Sequence, residues 1–519
     1  MRDRWYKEAV IYCLDVETFQ DSNGDGVGDL PGLTSRLDYL ERLGATCLWL
    51  NPIHPTPNRD DGYDVADYYG IDPRLGNLGD FVELIHQAEN RGLRVIIDLV
   101  INHTSDQHPW FQAARSDPKS PFRDYYVWSD EKPKDITQGM VFPGVQTATW
   151  TYDRKAKAWY YHRFYDFEPE LNAANPRVRE EIEKVAAFWL KLGVAGFRMD
   201  AAPFVIELST PDNPAPPKDF DYLRRLRELM AWRKGDTLIL AEANAEPQEL
   251  TEYFGLGDRL PMLFNFLLNQ EVFLGLARGD AGPVLSGLTM TPSIPESCQW
   301  ATFLRNHDEV DLGRLTAVER AEVFQAFGPD PEMQAYGRGI RRRLAPMLGG
   351  DRRRIEMAYA LQFTLPGTPV LRYGDEIGMG DDLSLPERNA VRTPMQWSDA
   401  PNAGFSSTRS RQALAHPVID DGPFGFGEVN VTAQRRDPHS LLSWMERALH
   451  TLHECPEFAV GTCQPLDSGQ RSVLALRFDA PSGVMLALTN LADEPSVVDL
   501  AEQLGELPAL PVEVFGDGD

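Results

Sequence analysis

Eight short apolar runs, separated by amphipathic stretches, limit most strongly how this chain can fold. They cover residues 9–14 (AVIYCL), 47–51 (CLWLN), 94–100 (RVIIDLV), 194–200 (VAGFRMD), 238–243 (LILAEA), 262–266 (MLFNF), 301–306 (ATFLRN) and 369–374 (PVLRYG). Each is rich in Val, Ile, Leu or aromatic residues and too short for a helix, as expected of a strand covered on both faces. The stretches between them, such as LPGLTSRLDYLERLG and REEIEKVAAFWLKLG, carry apolar residues at helical spacing. Strand–helix alternation calls for a parallel sheet, and eight such units predict an α/β chain closed into a (β/α)8 TIM barrel.

Two segments fall outside this rhythm. Residues 104–165, rich in Trp, Tyr, Asp and Pro, are too long for a plain loop and predict an inserted subdomain after the third strand. The helical stretch 439–454 closes the barrel, which is assigned residues 1–103 and 166–457. Beyond it, runs such as SVLALRF and GVMLALTNL predict a C-terminal antiparallel β domain over 458–519.

Charge and cysteine content narrow the partners. With 51 basic against 78 acidic residues the net charge is −27, a surface that repels nucleic acid and anionic lipid. No run of about eighteen apolar residues offers a membrane span. The five cysteines form no CxxC pair, and the N-terminal MRDRWYKEAVIYCL lacks the apolar stretch of a signal peptide, so reduced thiols in the cytoplasm are expected. Monomer and homo-oligomer fit the sequence equally.

The polar residues at the strand ends carry the functional signal, because barrel enzymes place their chemistry where the C-terminal strand ends meet. Here the strands run into INH (101–103), FRMD (197–200), AEAN (241–244) and RNHD (305–308). Asp200, Glu242 and Asp308 would therefore face one mouth. Arg198 precedes Asp200 by two residues, so strand alternation puts both side chains on one face, where the guanidinium keeps the carboxylate ionised. Two carboxyls about 5–5.5 Å apart are what glycosidic cleavage with retention requires, one as nucleophile and one as proton donor.

These segments resemble the α-amylase-type family of glycoside hydrolases and transglycosylases, through DLVINH (98–103), GFRMD (196–200), AEAN (241–244) and RNHD (305–308). The resemblance implies Asp200 as nucleophile, Glu242 as general acid/base and Asp308 as a stabiliser that binds sugar hydroxyls. It gives Arg198, His103 and His307 to the glucose undergoing reaction. Within the family the chain is most similar to the trehalose synthases, then to the oligo-1,6-glucosidases, through DSNGDGVGDLPGL (21–33), RDDGYDVADY (59–68), NHTSDQHPWF (102–111), LPGTPVLRYGDEIGMGD (365–381) and VRTPMQWS (391–398). That branch implies a blind pocket for one terminal glucose of a small neutral α-glucoside. Asp60 and Tyr63 would close around the sugar, and Arg392 would pair with Asp60. Asn244 and Glu309 match the branch, whereas Gly139, Phe204 and Gly313 stand where it has arginine, tyrosine and glutamate. Those losses leave open intramolecular transfer between maltose and trehalose, and hydrolysis or transfer to other acceptors by an exo-acting α-glucosidase or transglucosidase on maltose, trehalose, sucrose or similar sugars. A binding-only relative would have lost catalytic acids, and all three are present.

A metal is also expected. Asp21, Asn23, Asp25, Val27 and Asp29 alternate oxygen donors with small residues, a pattern suited to Ca2+ or Mg2+, and three aspartates within nine residues repel one another without a cation. Position twelve is Gly32, so the bidentate glutamate of an EF-hand is missing. The resemblance implies a second calcium held by Asn102, Glu170 and Glu207, with Glu170 standing where the family has aspartate.

Overall fold

The structure is a computed structural model that describes residues 4–209, 216–500, 504 and 512–516. All eight expected strands form: β1 (Ile11–Leu14), β2 (Cys47–Leu50), β3 (Arg94–Leu99), β4 (Gly196–Met199), β5 (Leu238–Ala241), β6 (Met262–Phe264), β7 (Gln299–Phe303) and β8 (Thr368–Arg372). Each pairs in parallel with its neighbours in chain order, and β8 returns to β1, so the barrel is closed. Side chains alternate strictly. Ile11, Cys13, Cys47, Trp49, Ile96, Leu238, Leu240, Phe264 and Val370 fill the interior, whereas Tyr12, Leu14, Leu48, Leu50, Ile97, Leu99, Ile239 and Leu263 pack outward under the helices.

The helices begin where the sequence supplies caps. Asn77 and Asp80 form a reciprocal capping box at the helix Leu78–Glu89, Asn175 caps Pro176–Lys191, and Ser440 caps Leu441–Glu454. The last of these is the expected final barrel helix. β7 starts two residues before the sequence reading placed it and ends at Phe303, because the RNHD motif turns away from the ladder into the mouth.

Long excursions at the C-terminal strand ends build the walls of that mouth. After β3 the chain makes a helix (Pro109–Ser116) and a three-stranded sheet of Trp128–Ser129, Ala158–Tyr161 and Trp150–Asp153, which is the inserted subdomain. Bridges from His103 to Glu170 and from Tyr126 to Leu171 extend its attachment past residue 165. After β7, residues 304–343 contain a small sheet of Val310–Asp311, Gly339–Ile340 and Gln334–Ala335. After β8, a loop of short 3-10 turns runs to residue 440. The described part of the C-terminal segment is an antiparallel sheet of Thr462–Leu466, Val473–Ala480 and Gly483–Asn490; much of 501–519 lies outside the described residues. Among the described residues no helix is long and apolar enough to cross a membrane, and all five cysteines are free thiols.

Candidate active site

A cavity of about 500 Å³ opens at the C-terminal ends of the strands, and Asp200, Glu242 and Asp308 all line it. The inward face of β4 presents Arg198, which is 1% exposed. Its Nη1 donates to Asp200 and to Asp98 on β3, at 2.6 Å each, and its Nη2 donates to Glu242. One guanidinium therefore holds the nucleophile and the acid/base candidates side by side. Asp98 is fixed in turn by the Trp49 indole N–H at 2.8 Å. The residue after Asp200, Ala201, sits at φ +48° and ψ 39°, a left-handed conformation that turns the chain sharply off the strand.

Burial sorts the carboxyls into different roles. At Glu242 burial, countered by Arg198 but reinforced by Asp200, Asp308 and Glu309, pushes the pKa up to about 8. The group is then protonated at neutral pH, as a proton donor must be. At Asp308 burial acts upward too, but His307, Arg388 and Arg392 outweigh it and hold the carboxyl well below its ordinary range. Asp308 is a fixed anion. His103 and His307 are both driven down to about 4, first by burial, and so stay neutral donors and acceptors.

The floor of the cavity differs from the expected pairing in one respect. Asp60 pairs with Arg388 (2.9 Å), whereas Arg392 pairs with Asp61 and with Asp308 (3.0 Å). Asp61 sits at φ +46° in the DDGYD turn and shares a separate small pocket with Arg392, while Asp60 lines the main cavity. Arg388, which also donates to Asp308 at 2.9 Å, is the cationic wall of the pocket and lies across the Phe142 ring. Tyr63 stacks on His307 with ring centroids 5.5 Å apart and meets its Nε2 at 2.7 Å; His307 reaches Asp308 at 3.0 Å. Asp60, Tyr63, His103, Asn244, His307 and Glu309 all line the cavity with the three acids, while Arg198 and Arg392 act from behind them.

The outer rim is a chain of charged and amide groups. Glu246 meets Arg314 (3.0 Å), Arg314 donates to Asn244 (2.9 Å), Asn244 donates to Asp311 (2.8 Å), and Asp311 faces Arg338 (3.5 Å). Of the three departures from the branch pattern, only Gly313 lies beside this line, next to Asp311 and Arg338, whereas Gly139 and Phe204 lie by Arg163. Phe204 lines the cavity without a hydroxyl, Gly313 is exposed, and a Cβ at Gly139 would come within 4 Å of Arg163 alone, at 3.7 Å.

The expected cation ligands are arranged around other groups. Asp21 accepts the N–H groups of Asn23, Gly24 and Gly26 and the hydroxyl of Ser406. Asn23 accepts from Asp25, Asp25 from Val27, and Asp29 caps the helix Leu30–Ser35 through Gly32. Peptide donors thus answer the repulsion that a cation was expected to relieve. Glu170 and Glu207 do come together, but on the Arg163 guanidinium (3.2 and 2.6 Å), which supplies the positive charge there. Asn102 lies nearby with its amide oxygen buried and without a hydrogen-bond partner. A cation between the two glutamates would have to displace Arg163, so that set does not fit one as it stands. Among the described residues, no three His, Cys, Asp or Glu side chains converge as a metal site.

Comparison with known proteins decides the family. The α-amylase catalytic domain matches residues 13–325 and 341–458. This chain belongs to the α-amylase family. A trehalose synthase from Thermus thermophilus is 46% identical over 98% of the chain, and one from Pimelobacter sp. is 41% identical over 99% of it. The chain spans about half (53%) of the Thermus relative's length and 91% of the Pimelobacter one's. Among solved structures, the α-glucosyl transfer enzyme XgtA superposes with a TM-score of 0.77 at 29% identity, over 95% of this chain and 92% of its own.

Sequence reasoning missed several residues of this α-amylase-family site. Asp98 lay inside a quoted motif, and its place on the inward face of β3 was readable from strand alternation. Arg388, Arg314 and Arg338 sit in loops with no period, and nothing in their spacing marked them.

Proposed function

We propose that this chain is a retaining α-glucosyl-transferring enzyme for short α-glucosides, working on maltose and trehalose in the manner of its trehalose synthase relatives. The observation that supports this most is the ion-paired floor of Asp60, Arg388 and Asp308, which lines the same cavity as the two reacting carboxyls. On this reading the enzyme takes the terminal glucose.

The chemistry follows from the protonation states. Asp200 attacks the anomeric carbon as Glu242 gives its proton to the departing glycosidic oxygen, leaving a β-glucosyl ester on Asp200 and a free hydroxyl on the leaving sugar. Asp308 and Arg388 hold the glucose hydroxyls, and the carboxylates of Asp200 and Asp308 offset the positive charge that builds on the ring. In the second half Glu242, now ionised, takes a proton from an acceptor hydroxyl, which attacks the same carbon and releases Asp200. If the acceptor is the retained glucose turned to another hydroxyl, the product is the isomeric disaccharide. If it is water, the product is α-glucose. Phe204, Gly139 and Gly313 favour the second reading, since none carries the polar group that the branch has at that position.

Incubation with maltose, and separately with trehalose, tests the proposal when free glucose and both disaccharides are quantified from the first minutes. Formation of the other disaccharide supports transfer; glucose alone from the start rejects it. A structural Ca2+ or Mg2+ at the loop 21–29 would draw on hard oxygens that now accept peptide N–H groups and the Ser406 hydroxyl. A melting temperature that falls in EDTA and returns with Ca2+ would support that site, and an unchanged value would remove it. The free thiols favour a cytoplasmic setting.

A further inference from the structure

We propose that Arg338 latches the inserted subdomain across the mouth of the cavity and thereby sets how a glucosyl unit divides between the retained sugar and water. This rests on the glucosyl-transfer reading above and assigns its control to one residue. Arg338 Nη1 donates to the Val141 carbonyl of the subdomain at 2.9 Å, while Nε and Nη2 face Asp311 (3.5 Å) and Glu309 (3.9 Å) on the excursion after β7. Both Arg338 and Val141 line the cavity.

Each end of the contact is held firmly. Val141 and Phe142 donate their N–H groups to the Gln146 amide oxygen, at 2.8 and 2.7 Å, which fixes the loop that presents the carbonyl. Arg338 follows Tyr336 and Gly337, both left-handed (φ +55° and +68°), and its own carbonyl accepts the Leu312 N–H at 2.9 Å. At Gly339, beside it, a Cβ would stand 2.5 Å from the Glu309 side chain, so the hairpin lies tight against the acid that Arg338 faces. A strained turn held in this way puts one guanidinium over the opening.

The latch also reaches the acid/base. Asp311 accepts from Asn244, two residues beyond Glu242, and Asn244 accepts from Arg314. The mouth is thus bounded by one connected line of groups from the Glu242 loop to the subdomain. With Gly139 and Gly313 offering no side chain, Arg338 ties these walls by a guanidinium rooted elsewhere in the sequence. While the glucosyl ester stands on Asp200, water entry and loss of the first sugar both require this line to part.

The test uses the full-length chain with maltose and added 13C-labelled glucose, comparing Arg338→Ala, Arg338→Lys and Arg320→Ala. Arg320 supports the same excursion, and the turn that carries Arg338, through the Leu315 and Gly337 carbonyls (3.2 and 3.5 Å), and so controls for simple loosening of that turn. Arg338→Ala is expected to raise the share of glucosyl units captured by water and by labelled glucose about five- to tenfold over the unlabelled isomer. Arg338→Lys should fall between, and Arg320→Ala should match the wild type. An unchanged partition in folded Arg338→Ala, or an equal change in Arg320→Ala, overturns the proposal. Should the wild type yield glucose and no disaccharide, the transfer reading falls, whereas a rise in labelled product in Arg338→Ala still upholds the latch.

Discussion

The floor and the rim of this cavity are built on opposite principles. On the floor, Arg198, Arg388 and Arg392 each meet at least two carboxylates, and each side chain is 11% exposed or less. On the rim, Arg314 and Arg338 are 21% and 27% exposed, and Arg314 pairs with Glu246, which is 74% exposed. Charges removed from water interact strongly and tolerate no missing partner; charges at a wet edge are screened and exchange partners readily. A rigid donor site beside a rim that can part suits an enzyme that must fix one sugar while another turns or leaves.

The largest loss is expected at the carboxyls. Asp200→Asn and Glu242→Gln should each lower kcat on maltose by about four to six orders of magnitude, with the fold intact by circular dichroism. A loss of tenfold or less would remove both from the chemistry. The next effect separates floor from rim. Arg388→Ala removes the ion-pair partner of Asp60 and leaves Asp308 with Arg392 and His307 alone, at a cost of about 2–5 kcal/mol, and should lower kcat/KM about a hundred- to a thousandfold. Arg314→Ala, a wet-edge charge, should cost about tenfold or less in the same assay. Equal losses in the two variants would erase the distinction.

The smallest effect is in stability. Glu242 has its pKa raised from 4.5 to about 8, chiefly by burial. Between those values the native protein holds a proton that the unfolded chain has released, so this group's contribution is full below 4.5 and lost as pH rises through 8. Glu242→Gln cannot ionise and should melt a few degrees above the wild type at pH 8, with a smaller gap at pH 5. The same ionisation should give the wild type's kcat/KM a falling limb near pH 8. A gap that shrinks with rising pH would contradict the assignment.

How far the sequence reveals this molecule follows from where order comes from. The barrel was legible because its eight strands obey a period and a length limit, and the segments 94–100 and 238–243 form with their ends within two residues of the reading. Asp200, Glu242 and Asp308 were legible because strand ends in a barrel share one rim. The Asp60–Arg392 pairing was not, because the DDGYD turn offers two adjacent aspartates and only its backbone conformation decides which one faces Arg392. The latch was hidden for the same reason. Arg338 and Val141 are far apart in sequence, in loops without a period, and one donates to the other's peptide carbonyl, which leaves no side-chain signature.

The covalent intermediate is the decisive species, and 5-fluoro-α-D-glucosyl fluoride can trap it for mass spectrometry of the digested protein. A single glucosyl adduct on Asp200, absent from Asp200→Asn, is the predicted result. An adduct on Glu242 or Asp308, or full inactivation with Asp200 unmodified, would contradict it.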